Sequence, residues 1–174
     1  MTAQRRRLLI MRHAKSAYPA GVDDHDRPLN RRGERSARRM ARELASLGLL
    51  PDHVALSDSR RTQETLWFMN DGLPQPLPSH QHRALYLPSV ERMLKVIRTF
   101  PSAAKTGMIL SHNPGCEGLT HALTGALVRV TTANVIEVTI ESGWSEVGLT
   151  RLGTHALVRH LRPKELPPLE GLSP

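Results

Sequence analysis

Three short apolar runs, at residues 8–11, 53–56 and 108–110, are each continuous and each followed by a helical repeat. A strand with one wet face alternates apolar and polar residues, whereas a strand without alternation has to be covered on both faces. Helices returning over both sides of a parallel sheet supply that cover. The pattern predicts an α/β fold with three layers, α/β/α, around a mostly parallel central sheet. Two later runs, 134–140 and 155–161, alternate more and have no helix between them. They predict a hairpin or edge pair, with Glu141-Ser142-Gly143 starting the connection.

The helices are marked by their ends. Asn30 is an N-cap ahead of a repeat in which Ala37, Met40, Ala41, Leu44 and Leu47 make one apolar face. Arg31, Arg35, Arg38 and Arg42 fall on the opposite face, and Glu34 is spaced to pair with Arg38. A second helix is expected from Asp58 or Ser59 to about Asn70, and a third over residues 89–100. A fourth is expected to begin at Asn113 as a cap, with Pro114 at the first helical position. Residues 71–78 are a stiff Pro-rich loop, and the Pro-rich stretch 163–174 is expected to lie loose or drape over the surface.

Composition narrows the class. At 174 residues the chain suits one domain with a proper core, and aromatic residues at 3% make that core aliphatic. The single Cys116 excludes an intramolecular disulfide and fits a reducing compartment; in its apolar helical setting it is expected to be a buried filler. No apolar run approaches a membrane span, and only four apolar residues separate Arg7 from Arg12, too few for a signal peptide. Residues 1–22 lack acids, as transit peptides do, but the first strand lies within them, so cytoplasm is the expected location. The net charge of +8 suits anionic partners. The arginine stripe of the first helix is expected to be a solvated face, with docking of an acidic protein as the alternative.

Chemistry-bearing residues gather where the strands stop. Arg12-His13 ends the first run, Arg60-Arg61 follows the second, and Ser111-His112-Asn113 ends the third. In open α/β sheets, ligands collect beyond these carboxyl ends. Helices begin directly behind Arg61 and His112, so free N–H groups and positive dipole ends face the same crevice. Cations beside helix N-termini are unfavourable by themselves, and an anion between them resolves the conflict. A neutral imidazole can attack phosphorus while guanidinium groups hold the phosphoryl oxygens.

Leu9-Ile10-Met11-Arg12-His13-Ala14, the Ser-x-x-x-Arg-Thr-x-x-Thr segment over 57–65, and Ser111-His112-Asn113-Pro114-Gly115 resemble the histidine phosphatase superfamily, of phosphoglycerate-mutase-like fold. Arg12-His13-Ala14-Lys15-Ser16 and the later Asp24-His25-Asp26-Arg27-Pro28-Leu29-Asn30-Arg31-Arg32-Gly33 resemble its small SixA-type branch, the phosphohistidine phosphatases. The resemblance spans about residues 7–162. It implies a compact histidine phosphatase domain over 1–162, without a large helical lid insertion, followed by the tail 163–174. It implies His13 as the nucleophile, transiently phosphorylated, and Arg12, Arg61 and His112 as the clamp on the phosphoryl group. Arg27 matches a further phosphate-pocket arginine. Because the family has arginine directly before threonine, Arg61 is selected over Arg60; Asp58 stands where the family usually has proline. No cofactor is implied.

Other residue clusters carry less. His80-x-His82 and Asp23-Asp24-His25-Asp26 are rich in metal-ligand types, yet neither has a zinc spacing or a calcium-loop pattern, and no functional metal is expected. Residues 23–26 are expected to form a solvated loop near the pocket mouth, with Asp26 orienting Arg27. Many relatives carry a leaving-group acid after the third strand; the corresponding stretch here, residues 82–89, has no Asp or Glu, and Glu91 lies beyond it in a helix. An alkoxide leaving group is about as basic as hydroxide, whose conjugate acid has pKa about 15.7, and needs a proton. Imidazole needs less help, its conjugate acid having pKa about 6.5. A pocket without a strong acid therefore suits protein phosphohistidine. The alternatives are a phosphatase for a small phosphomonoester, a phosphate-binding protein that has lost catalysis, and a basic nucleic-acid-binding module; scarce aromatics and the lack of a recognised motif weigh against the last.

Overall fold

The computed structural model describes residues 5–149 and 153–167. Six strands, β1 (Arg6–Arg12), β2 (His53–Ser57), β3 (Ser79–His82), β4 (Thr106–Ser111), β5 (Val135–Ile140) and β6 (Ala156–Leu161), form one sheet in the order β3-β2-β4-β1-β5-β6. The four on the β3 side run parallel; β5 and β6 are antiparallel, as the alternating runs predict. Helices α1 (Arg31–Ser46) and α2 (Arg60–Asn70) cover one face, and α3 (Val90–Ile97) and α4 (Gly115–Thr124) the other. The result is a three-layer α/β/α fold.

The unbroken apolar runs serve both layers. Along β1, Leu8 and Ile10 join the core under α3 and α4, while Leu9 and Met11 join the core under α1 and α2. All four are fully buried, which is why no polar residue can interrupt the run. Cys116 is buried in the α3–α4 layer, and burial pushes its thiol up to about 12, an inert filler as expected.

Several elements depart from the sequence expectation. β3 has no apolar residue and lies exposed at the sheet's edge, so burial left no mark on it; its backbone pairs in parallel with β2 from Val54 to Ser57. Asn113 does not cap α4, which starts at Gly115. Its amide instead donates to Glu117 Oε1 and to the Val130 carbonyl, each at 2.8 Å, across a cis Asn113–Pro114 bond. α3 stops at Ile97, and the chain then tightens into turns closed by Thr99 N to Val96 O and Phe100 N to Ile97 O. Arg38 pairs with Asp71 at 2.8 Å rather than with Glu34, because the α2 C-terminal loop comes within reach. Beyond β6, a 3₁₀ turn (Pro163–Glu165) leads to Pro167, whose carbonyl accepts from Arg39 Nε of α1 at 2.8 Å. The rest of the expected tail, 168–174, lies outside the described residues.

Candidate active site

Strand register places the two histidines together. Arg12 of β1 is opposite Ser111 of β4, so the next residue of each strand leaves the sheet beside the other. The rings of His13 and His112 lie with centroids 5.1 Å apart, tilted by 55°. β2 lies on the far side of β4 and delivers Ser57, Ser59 and then Arg61 to the same end.

The loop after β1 is held by backbone contacts. Ala14 N donates to Thr65 Oγ1 of α2 at 3.0 Å, and Lys15 O accepts from Asn30 N at 3.0 Å. Ser16 forms a β-bridge with Leu29. Asn30 also caps α1 by accepting from Gly33 N at 2.9 Å. Gly33 is required at that point, since a Cβ there would stand 2.1 Å from the Lys15 carbonyl oxygen.

His13 is set as a one-sided base. Its Nδ1 lies 2.7 Å from the Ala14 carbonyl, which can only accept, so Nδ1 carries the proton and Nε2 keeps a free lone pair. Burial first, then the positive fields of Arg61, Arg12 and Arg27, hold its pKa down at about 3 against the opposing pull of the Ala14 hydrogen bond. His112 Nε2 approaches Ser57 Oγ at 3.0 Å and Ser59 Oγ at 3.4 Å, and its buried Nδ1 has no partner. Burial, then His13 and Arg61, push it down to about 2, so this ring is neutral.

Guanidinium groups complete the cleft, whose volume is about 250 Å³ and whose walls include Arg12, His13, Arg27, Arg61 and His112. Arg61 is 2% exposed and its Nε is buried without a partner, as is the Nε of Arg12. Arg12 is steadied by donating from Nη1 to the Val130 carbonyl at 3.1 Å. Arg60 instead turns outward to Glu64 at 2.7 Å. Arg27 is engaged at every nitrogen, with Ala17 O, Ser16 Oγ and Asp24 Oδ1, and its guanidinium lies 3.5 Å from the centroid of the Tyr18 ring.

Two residues escaped the sequence argument. Asp24, not Asp26, orients Arg27: its Oδ1 takes Arg27 Nη1 at 2.8 Å and its Oδ2 takes Arg61 Nη2 at 3.0 Å. Asp26 faces His25 instead, at 3.3 Å. Asp24 also accepts from the Tyr86 hydroxyl at 2.6 Å, and that bond together with the two arginines holds its carboxyl far below the usual carboxylate range. Tyr86 lies edge-on to His112, centroids 5.5 Å apart. Asp24 stands three residues before Arg27, within reach on a 3₁₀ turn (Asp24–Asp26), and Tyr86 belongs to the stretch searched only for carboxylates. Glu91 is fully exposed and pairs with Lys95 at 2.8 Å, away from the cleft.

The family model of the histidine phosphatase superfamily (branch 1) matches residues 8–86. A chloroplastic protein of Arabidopsis thaliana is 35% identical over 143 residues, covering 76% of this chain and 66% of that one. A Mycobacterium leprae protein is 33% identical over 120 residues, covering 67% and 72%. Among solved structures, a Nakamurella multipartitia protein assigned by name to phosphohistidine phosphatase SixA superposes with TM-score 0.82 at 23% identity, over 94% of this chain and 99% of that one. The protein histidine phosphatase SixA complexed with tungstate superposes with TM-score 0.77 at 22% identity, over 91% and 97%. The chain belongs to the histidine phosphatase superfamily.

Proposed function

We propose that this chain is a metal-independent phosphatase that transfers the phosphoryl group of a protein phosphohistidine to water through His13. Nε2 of His13 forms a bond to phosphorus as the bond from phosphorus to the substrate imidazole breaks; the departing imidazole takes a proton from solvent in the open cleft. Water then attacks the phosphorus, the bond to His13 breaks, and inorganic phosphate leaves. Through both steps negative charge spreads over three equatorial oxygens. Arg12, Arg61 and Arg27 would meet those oxygens. So would Nδ1–H of His112, the tautomer that results when Nε2 accepts from the Ser57 hydroxyl. A structural neighbour complexed with tungstate, a phosphate-like oxyanion, supports an oxyanion ligand for this chain.

The observation that carries the substrate class is the state of the acid. Among the described residues lining the cleft, Asp24 is the one carboxyl group, and Tyr86, Arg27 and Arg61 keep it ionised. It has no proton to give an alkoxide near neutral pH. A phosphoramidate leaves as an imidazole and asks little of it. Hydrolysis of a histidine-phosphorylated protein should therefore exceed that of sugar phosphates by at least about a hundredfold in kcat/KM, the order of a general-acid contribution. A preference for sugar phosphates would overturn the substrate class and favour the small-phosphomonoester alternative.

A further inference from the structure

We propose that the outer face of α1 docks an acidic protein segment flanking the phosphohistidine, an inference that rests on the phosphohistidine substrate and names its surroundings. Arg31, Arg32, Arg35 and Arg42 are exposed on this face, and among the described residues none of them forms an ion pair. Arg39 is held by the Pro167 carbonyl, and Arg38 by Asp71. The two acids of the helix, Glu34 and Glu43, sit half-buried on its flanks.

Elsewhere the same chain shows what a merely solvated face looks like. On α2, Arg60 pairs with Glu64 one turn on, and on α3, Lys95 pairs with Glu91. On α1, the one-turn neighbours Arg31 and Arg35, Arg35 and Arg39, and Arg38 and Arg42 repeat the same sign. Arg31 and Arg32 also stand in the first turn, at the positive end of the helix dipole. Each arrangement is unfavourable alone, and an anionic surface laid over the helix relieves all of them.

Placement ties this face to the cleft. Lys15 lines the cleft and is exposed, while its backbone touches α1 at Gly33 and Asn30. The stripe starts at that rim and runs about 16 Å from Arg31 to Arg42 at the helical rise. A phosphohistidine seated in the cleft lays neighbouring residues of its own chain along it. Protein rather than nucleic acid fits, because α1 carries no aromatic side chain on which a base could stack.

The test uses two synthetic peptides with one phosphohistidine each, flanked by glutamates or by glutamines, together with phosphoimidazole. The variants are R31Q/R35Q/R42Q and the wild-type chain. At low ionic strength, wild type should favour the glutamate peptide about tenfold in kcat/KM, chiefly through KM, as expected of rim charges. The preference should fall to within about twofold in the triple variant and near 0.5 M salt, where screening is strong. Phosphoimidazole turnover should not change. Equal rates for the two peptides, or a preference that survives the substitutions, would overturn the docking face. Tighter competition by a thymidine oligonucleotide than by the unphosphorylated glutamate peptide, lost in the triple variant, would overturn it in favour of nucleic acid. Binding of the unphosphorylated glutamate peptide separates the two failures. Its loss in the triple variant without turnover of any phosphorylated probe supports the docking face and sinks the phosphohistidine substrate; no binding by wild type sinks the docking face.

Discussion

Asp24 is where the residue scale departs most from sequence expectation. It is a carboxylate in a cleft proposed for anions, so it subtracts from the field that a phosphoryl dianion would feel. Its return is positional, since it holds two guanidinium groups at 2.8 and 3.0 Å on one carboxyl. These effects separate kinetically. Asp24→Asn should lower kcat about tenfold, through loosened arginines, while KM stays level or falls because the cleft becomes more positive. A rise in KM with kcat unchanged would contradict the positional role. Arg61→Ala should lower kcat itself about 10²–10³-fold, since it removes donors aimed at the developing charge. Steady-state kinetics on a phosphohistidine substrate checks both. His13, Arg12, Arg61 and His112 could be picked out in sequence because each lies at a strand end or shortly beyond one. The partners of Asp24 could not, because a 3₁₀ turn and a Tyr86 62 residues away have no periodic signature.

At the scale of elements, the site depends on how closely the loop after β1 lies on α1. The Lys15 carbonyl stands 2.1 Å from where a Cβ on Gly33 would be, and that oxygen already accepts from Asn30 N. Backbone cannot move aside as a flexible side chain can. Gly33→Ala should therefore destabilise the fold by about 1–3 kcal/mol, the usual scale of overpacking, despite alanine's better helix propensity. Urea unfolding measures it, and a stabilised variant would contradict the close approach. The buried strands β1, β2 and β4 were legible as unbroken apolar runs, and α1 as a capped amphipathic repeat. β3 was not, since an exposed edge strand of Ser79, His80, Gln81 and His82 is made by backbone pairing alone. The start of α4 was misplaced because the Asn113 side chain donates to the Glu117 carboxylate and the Val130 carbonyl instead of accepting from the first N–H groups of the helix.

For the whole molecule, burying two neutral imidazoles makes stability depend on pH. Folded His13 and His112 take up protons only near about 3 and about 2, while the unfolded chain does so near 6.5. Between those values the unfolded state binds more protons, so stability falls as pH drops below about 6.5. The depressed Asp24 carboxyl adds in the same direction at lower pH. The urea midpoint should fall from pH 7.5 to pH 5, and His13→Gln should fall less steeply; an equal or steeper fall in the variant would contradict the buried neutral ring. The three-layer fold followed from the alternation of apolar runs and helices. The meeting of residues 13 and 112 was expected from their places at strand ends and from the family resemblance, since the β1–β4 pairing that brings it about is encoded in no local pattern.

One measurement bears most directly on a neutral His13 as nucleophile. The protein is incubated with a phosphodonor such as phosphoramidate, quenched in alkali and mapped by mass spectrometry. A phosphate on His13 that survives base, is lost in acid and is missing from His13→Ala is the expected result. Full turnover by His13→Ala, or labelling confined to another residue, would contradict it.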